Sequence, residues 1–165
     1  MRILGIDPST VTMGYGLIEG EDDELRMLHC GVLAASSHLP LVKRLLELYR
    51  QLLKLVNSYY PDEVAIEEPF VARNVRSALS IGRAQAVAIL AAANNSVPVH
   101  TYAPAKVKQA VASYGGAGKE QVQQMVQIQL GLSQIPQPSD AADALAVAIC
   151  HFRERQLAKL IVQSR

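Results

Sequence analysis

The sequence predicts an α/β fold in which short buried strands alternate with amphipathic helices. Apolar runs closed by turn residues, at 3–6, 64–66 and 97–102, are separated by longer stretches whose apolar residues recur at helical spacing. With 165 residues, 50% hydrophobic and 19% charged, the chain has globular composition and length for one sizeable core, so one domain is expected over 1–165. No apolar run approaches the ~18 residues of a membrane span, and no basic leader precedes a short apolar stretch. These features predict a soluble, cytoplasmic protein with no membrane partner. Cys30 and Cys150 are far apart and in no metal-ligand spacing, and are expected to be buried reduced thiols.

The first element is the run Ile3, Leu4 and Ile6, which has the character of a fully buried central strand and ends in a carboxylate, Asp7. Pro8, Ser9 and Thr10 turn the chain, which is expected to return antiparallel from Met13 to Ile18. Gly14 and Gly16, two apart on that return strand, share a face on which another backbone or a phosphate can come close. On this stretch alone Asp7 is read equally well as an Asx-turn residue ahead of a proline. An acidic turn at 19–24 reads as a solubilising loop, and a third strand is expected from Leu25 to Ala35.

Leu41, Leu45, Leu48, Leu52 and Val56, with Val42, Leu46, Tyr49 and Leu53 beside them, predict a helix covering the sheet. Lys43, Arg44, Glu47, Arg50 and Lys54 fall on its other face. Val64–Ile66 is then a short strand finishing in Glu67 and Glu68, a second carboxylate at a strand end. Phe70 to Arg76 reads as an exposed loop, and Ser77 to Asn94 as an Ala-rich helix with so little polar surface that it is buried on two sides, in the core or against another subunit. A last strand, Val97 to Tyr102, and a short helix from Pro104 follow.

Gly115-Gly116-Ala117-Gly118-Lys119 invites comparison with a phosphate-binding loop. The signature requires Gly five residues before the Gly-Lys pair and Ser or Thr after it, whereas Ser113 and Glu120 stand there, and the stretch follows a helix rather than a strand. It is read as a turn carrying one cation. Lys119 to Leu132 is an amphipathic helix, and the final helix runs from Ser139 to about Ile161. Asp140 and Asp143 share a face in its first turn. Acidic residues there can simply compensate the helix dipole. However, every other residue from Ala141 to Cys150 is apolar, and two carboxylates in a helix built for burial are costly unless paired or metal-bound.

Charge is segregated along the chain although its net value is +1. Residues 1–68 carry six Lys/Arg against eleven Asp/Glu, while residues 69–139 carry six (Arg73, Arg76, Arg83, Lys106, Lys108 and Lys119) against Glu120 alone. A basic middle segment beside acidic strand ends fits a nucleic-acid-directed site.

Gly5-Ile-Asp7-Pro8, Ala65-Ile-Glu67, Phe70, Asn74, Gln85, Val107-Lys108-Gln109, Lys119 with Gln121-Val122-Gln123, and Asp140-Ala-Ala-Asp143-Ala-Leu-Ala stand in collinear order. Taken together, the chain resembles the RuvC family of Holliday-junction resolvases from about Met1 to about His151. The resemblance implies an RNase H-like fold, a five-stranded mixed sheet with an antiparallel second strand, flanked by helices. It also implies a homodimer, with the 77–94 helix as interface, that cuts two strands of a four-way DNA junction, and a branch-migration motor complex, RuvA and RuvB, as partner. It maps four carboxylates that hold two Mg²⁺ ions onto Asp7, Glu67, Asp140 and Asp143, with Mn²⁺ as an alternative. Hard divalent cations take oxygen ligands, and a pair of them clamps both oxygens of an in-line phosphodiester displacement.

By the same resemblance Phe70 stacks on bases at the branch point and Lys108 and Lys119 lie near the scissile phosphate, while the basic segment adds Arg73, Arg76 and Lys106 to the expected DNA-facing set. Two positions depart from the family pattern: Ser9 replaces the usual Gly, and Glu68 stands where a neutral residue is common. Glu67 rather than Glu68 is expected to face the metals, because it shares a strand face with the small Ala65. The rival readings are an RNase H-like nuclease acting on another substrate, a non-catalytic nucleic-acid-binding domain of this fold, and an actin-like phosphotransferase. The last needs a second related domain and a Gly at position 9.

Overall fold

A computed structural model of the chain describes residues 1–22, 24–69 and 74–163. Five strands are present: β1 (Arg2–Asp7), β2 (Thr12–Glu21), β3 (Glu24–Ala34), β4 (Glu63–Glu67) and β5 (Val99–Tyr102). They form one sheet in the order β3-β2-β1-β4-β5, with β2 antiparallel to both its neighbours and β1, β4 and β5 mutually parallel. The five helices are α1 (Leu41–Tyr59), α2 (Val75–Ala93), α3 (Pro104–Ala112), α4 (Lys119–Gln129) and α5 (Ser139–Gln163). This is the RNase H-like mixed sheet that the resemblance implies. None of the described helices is long and apolar enough to cross a membrane.

Strand alternation divides the core into two layers. Leu4, Ile6, Val64 and Ile66 point to one face, where they meet Leu48, Leu52 and Val56 of α1 and Ala84, Ala88 and Ala91 of α2. Ile3 and Ala65 point to the other, against α5 and the residues Val107, Val122 and Val126 of α3 and α4. Each fully buried Leu or Ile contributes roughly 1.5–3 kcal/mol. The middle of α5 is enclosed all round, with Ala144, Leu145, Val147, Ala148 and Ile149 at 0% exposure. It can lie this close because the strands beneath it carry glycine: a Cβ at Gly5 would overlap the Ala144 carbonyl, and one at Gly16 would meet the Leu145 side chain at 2.6 Å.

Several sequence expectations need correction. Val42 and Leu46, placed beside the apolar face of α1, are exposed, because at about 100° per residue they fall to one side of the stripe formed by Leu45, Leu48, Leu52 and Val56 that meets the sheet. α2 begins at Val75, so Arg76 is in a helix rather than a loop. Asn74 starts it early by accepting a hydrogen bond from Ser77 N at 3.1 Å, an N-cap. β5 begins at Val99 rather than Val97, and α4 ends at Gln129, short of Leu132, with Gly131 at φ 61° reversing the chain. Cys30 is half-buried rather than buried, while Cys150 is buried and both thiols are free.

Candidate active site

Asp7 and Glu67 end adjacent parallel strands. The register pairs Ile6 with Ile66, so the two carboxylates that follow emerge side by side on the face covered by α5. Glu68, one residue on, turns away and accepts a hydrogen bond from Thr101 Oγ1 at 2.7 Å. Strand alternation thus assigns Glu67 to the site, as the Ala65 argument expects. At the hairpin turn, Ser9 Oγ accepts from Val11 N and Thr12 N, both at 3.3 Å, so a hydroxyl serves the turn where the family has glycine.

The first turn of α5 brings the remaining carboxylates. Side-chain oxygens of Asp7, Asp140 and Asp143 all lie within 4.8 Å of one another. Gly14, paired with Asp7 across β1 and β2, makes this possible: a Cβ there would overlap the backbone carbonyl of Asp140. The close approach read from the glycines in the sequence is therefore that of the α5 backbone.

The electrostatics of the group are those of crowded, poorly solvated acids. Burial first, then the negative charges of Glu67, Asp143 and Asp140, push Asp7 up to about 7, against a smaller opposing pull from Lys119. Burial and then Asp143 push Glu67 up to about 7 as well, opposed by Lys108 and Lys119. Lys119, the first residue of α4, donates from Nζ to Asp143 Oδ2 at 2.7 Å, and that hydrogen bond holds its ammonium above its ordinary range. Lys108 of α3 stands across the same cleft, about 250 Å³ in volume, which is lined by Glu67, Asp143, Lys108, Lys119, Pro104 and Val107 among others.

Not every expected residue gathers here. Lys106, two residues from Lys108 and so on another face of α3, pairs with Glu154 at 3.0 Å. Arg76 is exposed in the first turn of α2. Phe70 and Arg73 lie outside the described residues. Sequence reasoning missed the direct Lys119–Asp143 pair, because nothing local links residues 24 positions apart in different helices.

An all-oxygen donor set whose own repulsion opposes ionisation fits a hard divalent cation. Lys119 offsets part of the negative charge felt by Asp7, and Lys108 and Lys119 part of that felt by Glu67.

Comparison with known proteins agrees with this geometry. The family model for crossover junction endodeoxyribonuclease RuvC matches residues 3–151. A crossover junction endodeoxyribonuclease RuvC from Dehalococcoides mccartyi is 53% identical over 163 residues, covering 99% of this chain and 98% of that protein. One from Chloroflexus aurantiacus is 52% identical over 151 residues, 92% of each. Among solved structures, Thermus thermophilus RuvC in complex with a Holliday junction substrate superposes with a TM-score of 0.90 at 36% identity, covering 96% of each chain. The yeast mitochondrial Holliday junction resolvase Ydc2, at a TM-score of 0.62 and 16% identity over 92% of this chain and 78% of its own, shares the fold. The chain belongs to the RuvC family of crossover junction endodeoxyribonucleases.

Proposed function

We propose that this chain is a structure-selective endodeoxyribonuclease that resolves four-way DNA junctions in recombination and repair by metal-assisted phosphodiester hydrolysis. The observation that carries this reading is the convergence of three aspartates within 4.8 Å beside Glu67, in surroundings that resist the ionisation of Asp7 and Glu67. Membership in the RuvC family and the likeness to a relative bound to a Holliday junction support the substrate.

Asp7, Glu67, Asp140 and Asp143 would hold two Mg²⁺ ions, or Mn²⁺ in their place. Ions so bound supply charge stabilisation to both the attacking and the departing oxygen of the displacement. The chain's own part is to hold the four carboxylates in place. β1 and β4 set two of them in register, Gly14 lets α5 deliver the others, and Lys119 tethers Asp143. Lys108 and Lys119 present cations at the mouth of the cleft, where a phosphate would otherwise meet only negative charge. The DNA-facing set is proposed as Phe70, Arg73, Arg76, Lys108 and Lys119. Lys106, engaged with Glu154, is left out of it.

The proposed active form is a homodimer in the cytoplasm, working with the RuvA and RuvB branch-migration motor. A symmetric pair of sites suits a junction cut on two strands. Support for the dimer comes from α2, whose outward residues Val75, Leu79 and Leu90 are exposed, beside an apolar hollow of about 470 Å³ lined by Pro69, Ala78, Leu79, Gly82, Arg83 and others.

The test is incubation with a synthetic four-way junction, a linear duplex of the same sequence and an RNA–DNA hybrid, with Mg²⁺ or with EDTA. Paired cuts in the junction alone, abolished by EDTA, are expected. Equal cutting of duplex and junction would remove the selectivity, preference for the hybrid would point to a different nuclease of this fold, and cutting in EDTA would remove the metal.

A further inference from the structure

The carboxylates occupy one end of the sheet, and a second group of ligand-bearing side chains occupies the other. Glu63 opens β4 on the same face as Ala65 and Glu67, and four residues of strand set it roughly 13 Å from Glu67. His100 of β5 pairs with Ala65 across the strands, and His151 comes down from α5, eleven residues or roughly 16 Å along the helix from Asp140. The three meet: one ligand atom from each of Glu63, His100 and His151 lies within 4.8 Å of the other two. Both histidines direct Nε2 at the same oxygen, Glu63 Oε2. His151 is in hydrogen-bond contact with it and His100 stands at 3.5 Å.

Each donor is held in place by something else. The Tyr102 hydroxyl lies 2.6 Å from His151 Nδ1, so the ring is held with Nε2 facing Glu63 as its candidate ligand atom. Arg155 Nη2 forms an ion pair with the other carboxylate oxygen, Glu63 Oε1, at 3.1 Å, and Oε2 faces the histidines. The two imidazoles stack with centroids 4.5 Å apart. The His151 side chain is 1% exposed and that of Glu63 12%, whereas His100 is 38% exposed and opens the group to solvent on one side. Burial favours the neutral imidazole of His151, the form that ligates metals.

We propose that Glu63, His100 and His151 form a second cation site, selective for Zn²⁺ or a similar borderline ion over Mg²⁺, that staples β4, β5 and α5 at the end of the sheet remote from the active site. Two imidazole nitrogens and one carboxylate oxygen, with water on the open side, make a four-coordinate set suited to Zn²⁺ at about 2.0–2.2 Å from each protein ligand. Mg²⁺ prefers oxygen ligands, so ligand chemistry separates this site from the all-oxygen one. On binding, the single proton of the neutral His151 ring moves from Nε2 to Nδ1 by exchange with solvent, so that Nε2 takes the ion, Nδ1 donates to the Tyr102 oxygen and no net proton is released.

The probe is Co²⁺, followed by Zn²⁺, added to the full-length protein stripped with EDTA and then supplied with excess Mg²⁺ to fill the carboxylate site. A visible absorption band of four-coordinate Co²⁺ is expected, bleached by Zn²⁺ but not by more Mg²⁺, with a rise in melting temperature on adding Zn²⁺. The surface-accessible change His100→Ala and the shape-preserving change Glu63→Gln should each weaken Zn²⁺ binding about tenfold or more while leaving Mg²⁺-dependent cleavage intact. The proposal is overturned if wild-type protein shows no such band, or if band and melting shift persist unchanged in both variants. It is equally overturned if they vanish instead in an Asp7→Asn, Asp143→Asn double variant, which would place the ion among the carboxylates. The absorption band and the melting shift do not depend on which nucleic acid the enzyme cuts.

Discussion

At Asp7 the chain holds a carboxylate that keeps its proton up to about pH 7 in the folded, metal-free state, against an ordinary value of 3.8. Between those values the folded state binds more protons than the unfolded one, so this group's contribution to stability falls as pH rises from about 4 to about 7. Asp7→Asn removes the titration. In EDTA the variant should melt above wild type at about pH 8, by on the order of 5 °C, with the difference closing as pH falls toward about 4. Melting curves across that range check it, and an Asp7→Asn protein that melts below wild type at about pH 8 contradicts it. Gly14 yields a complementary case. Gly14→Ala puts a methyl group where the Asp140 carbonyl sits, so α5 must retreat and carry Asp140 from its partners. Stability should drop by about 1–3 kcal/mol and cleavage by roughly a hundredfold, measurable as a denaturation midpoint and a single-turnover rate. Intact cleavage in this variant would mean that the approach of α5 does not set the site. Asp7 and Glu67 close apolar runs and Asp143 interrupts one, which is a local signal, and the resemblance joins them with Asp140 into one set. The Glu63–His151 contact, 88 residues apart, left no such signal.

At the scale of elements, strand ends and helix starts do the positioning, and α2 shows where sequence reading falls short. Its apolar residues spread nearly all round, which predicts burial on two sides, and the single chain buries only the side carrying Ala84, Ala88 and Ala91. The other side stands open at Leu79, 59% exposed, and Leu90, 61% exposed. If that side is the proposed dimer interface, Leu79→Glu buries a charge there and should convert dimer to monomer, read by sedimentation at micromolar concentration. A Leu79→Glu protein that remains fully dimeric would place the interface elsewhere. The start of α2 was misjudged because Asn74 reads as a loop residue until its side chain is seen capping Ser77 N. The end of α4 was misjudged because Leu130 and Leu132 continue the apolar periodicity past the turn at Gly131. Periodicity locates the buried face of a helix, but hydrogen bonds at its ends decide where it stops.

Over the whole molecule, the acidic segment 1–68 and the basic segment 69–139 meet in one cleft, with Glu67 from the first and Lys108 and Lys119 from the second, joined there by Asp143 of α5. Strand order and the placement of the two helical layers were not derivable from periodicity. The resemblance implies a five-stranded mixed sheet with an antiparallel second strand, and the structure adds the order β3-β2-β1-β4-β5 and the division of the helices between its two faces. Central to the account is the claim that the carboxylates act in catalysis and not in bracing the fold. The most direct measurement is single-turnover cleavage of a four-way junction in Mg²⁺ by Asp143→Asn protein, set beside its junction affinity and its melting temperature in EDTA. Cleavage lost by orders of magnitude, with junction binding retained and the melting temperature unchanged or raised, is the expected result. An Asp143→Asn protein that still cuts the junction but melts lower would contradict it, and would assign Asp143 to compensation of the α5 dipole.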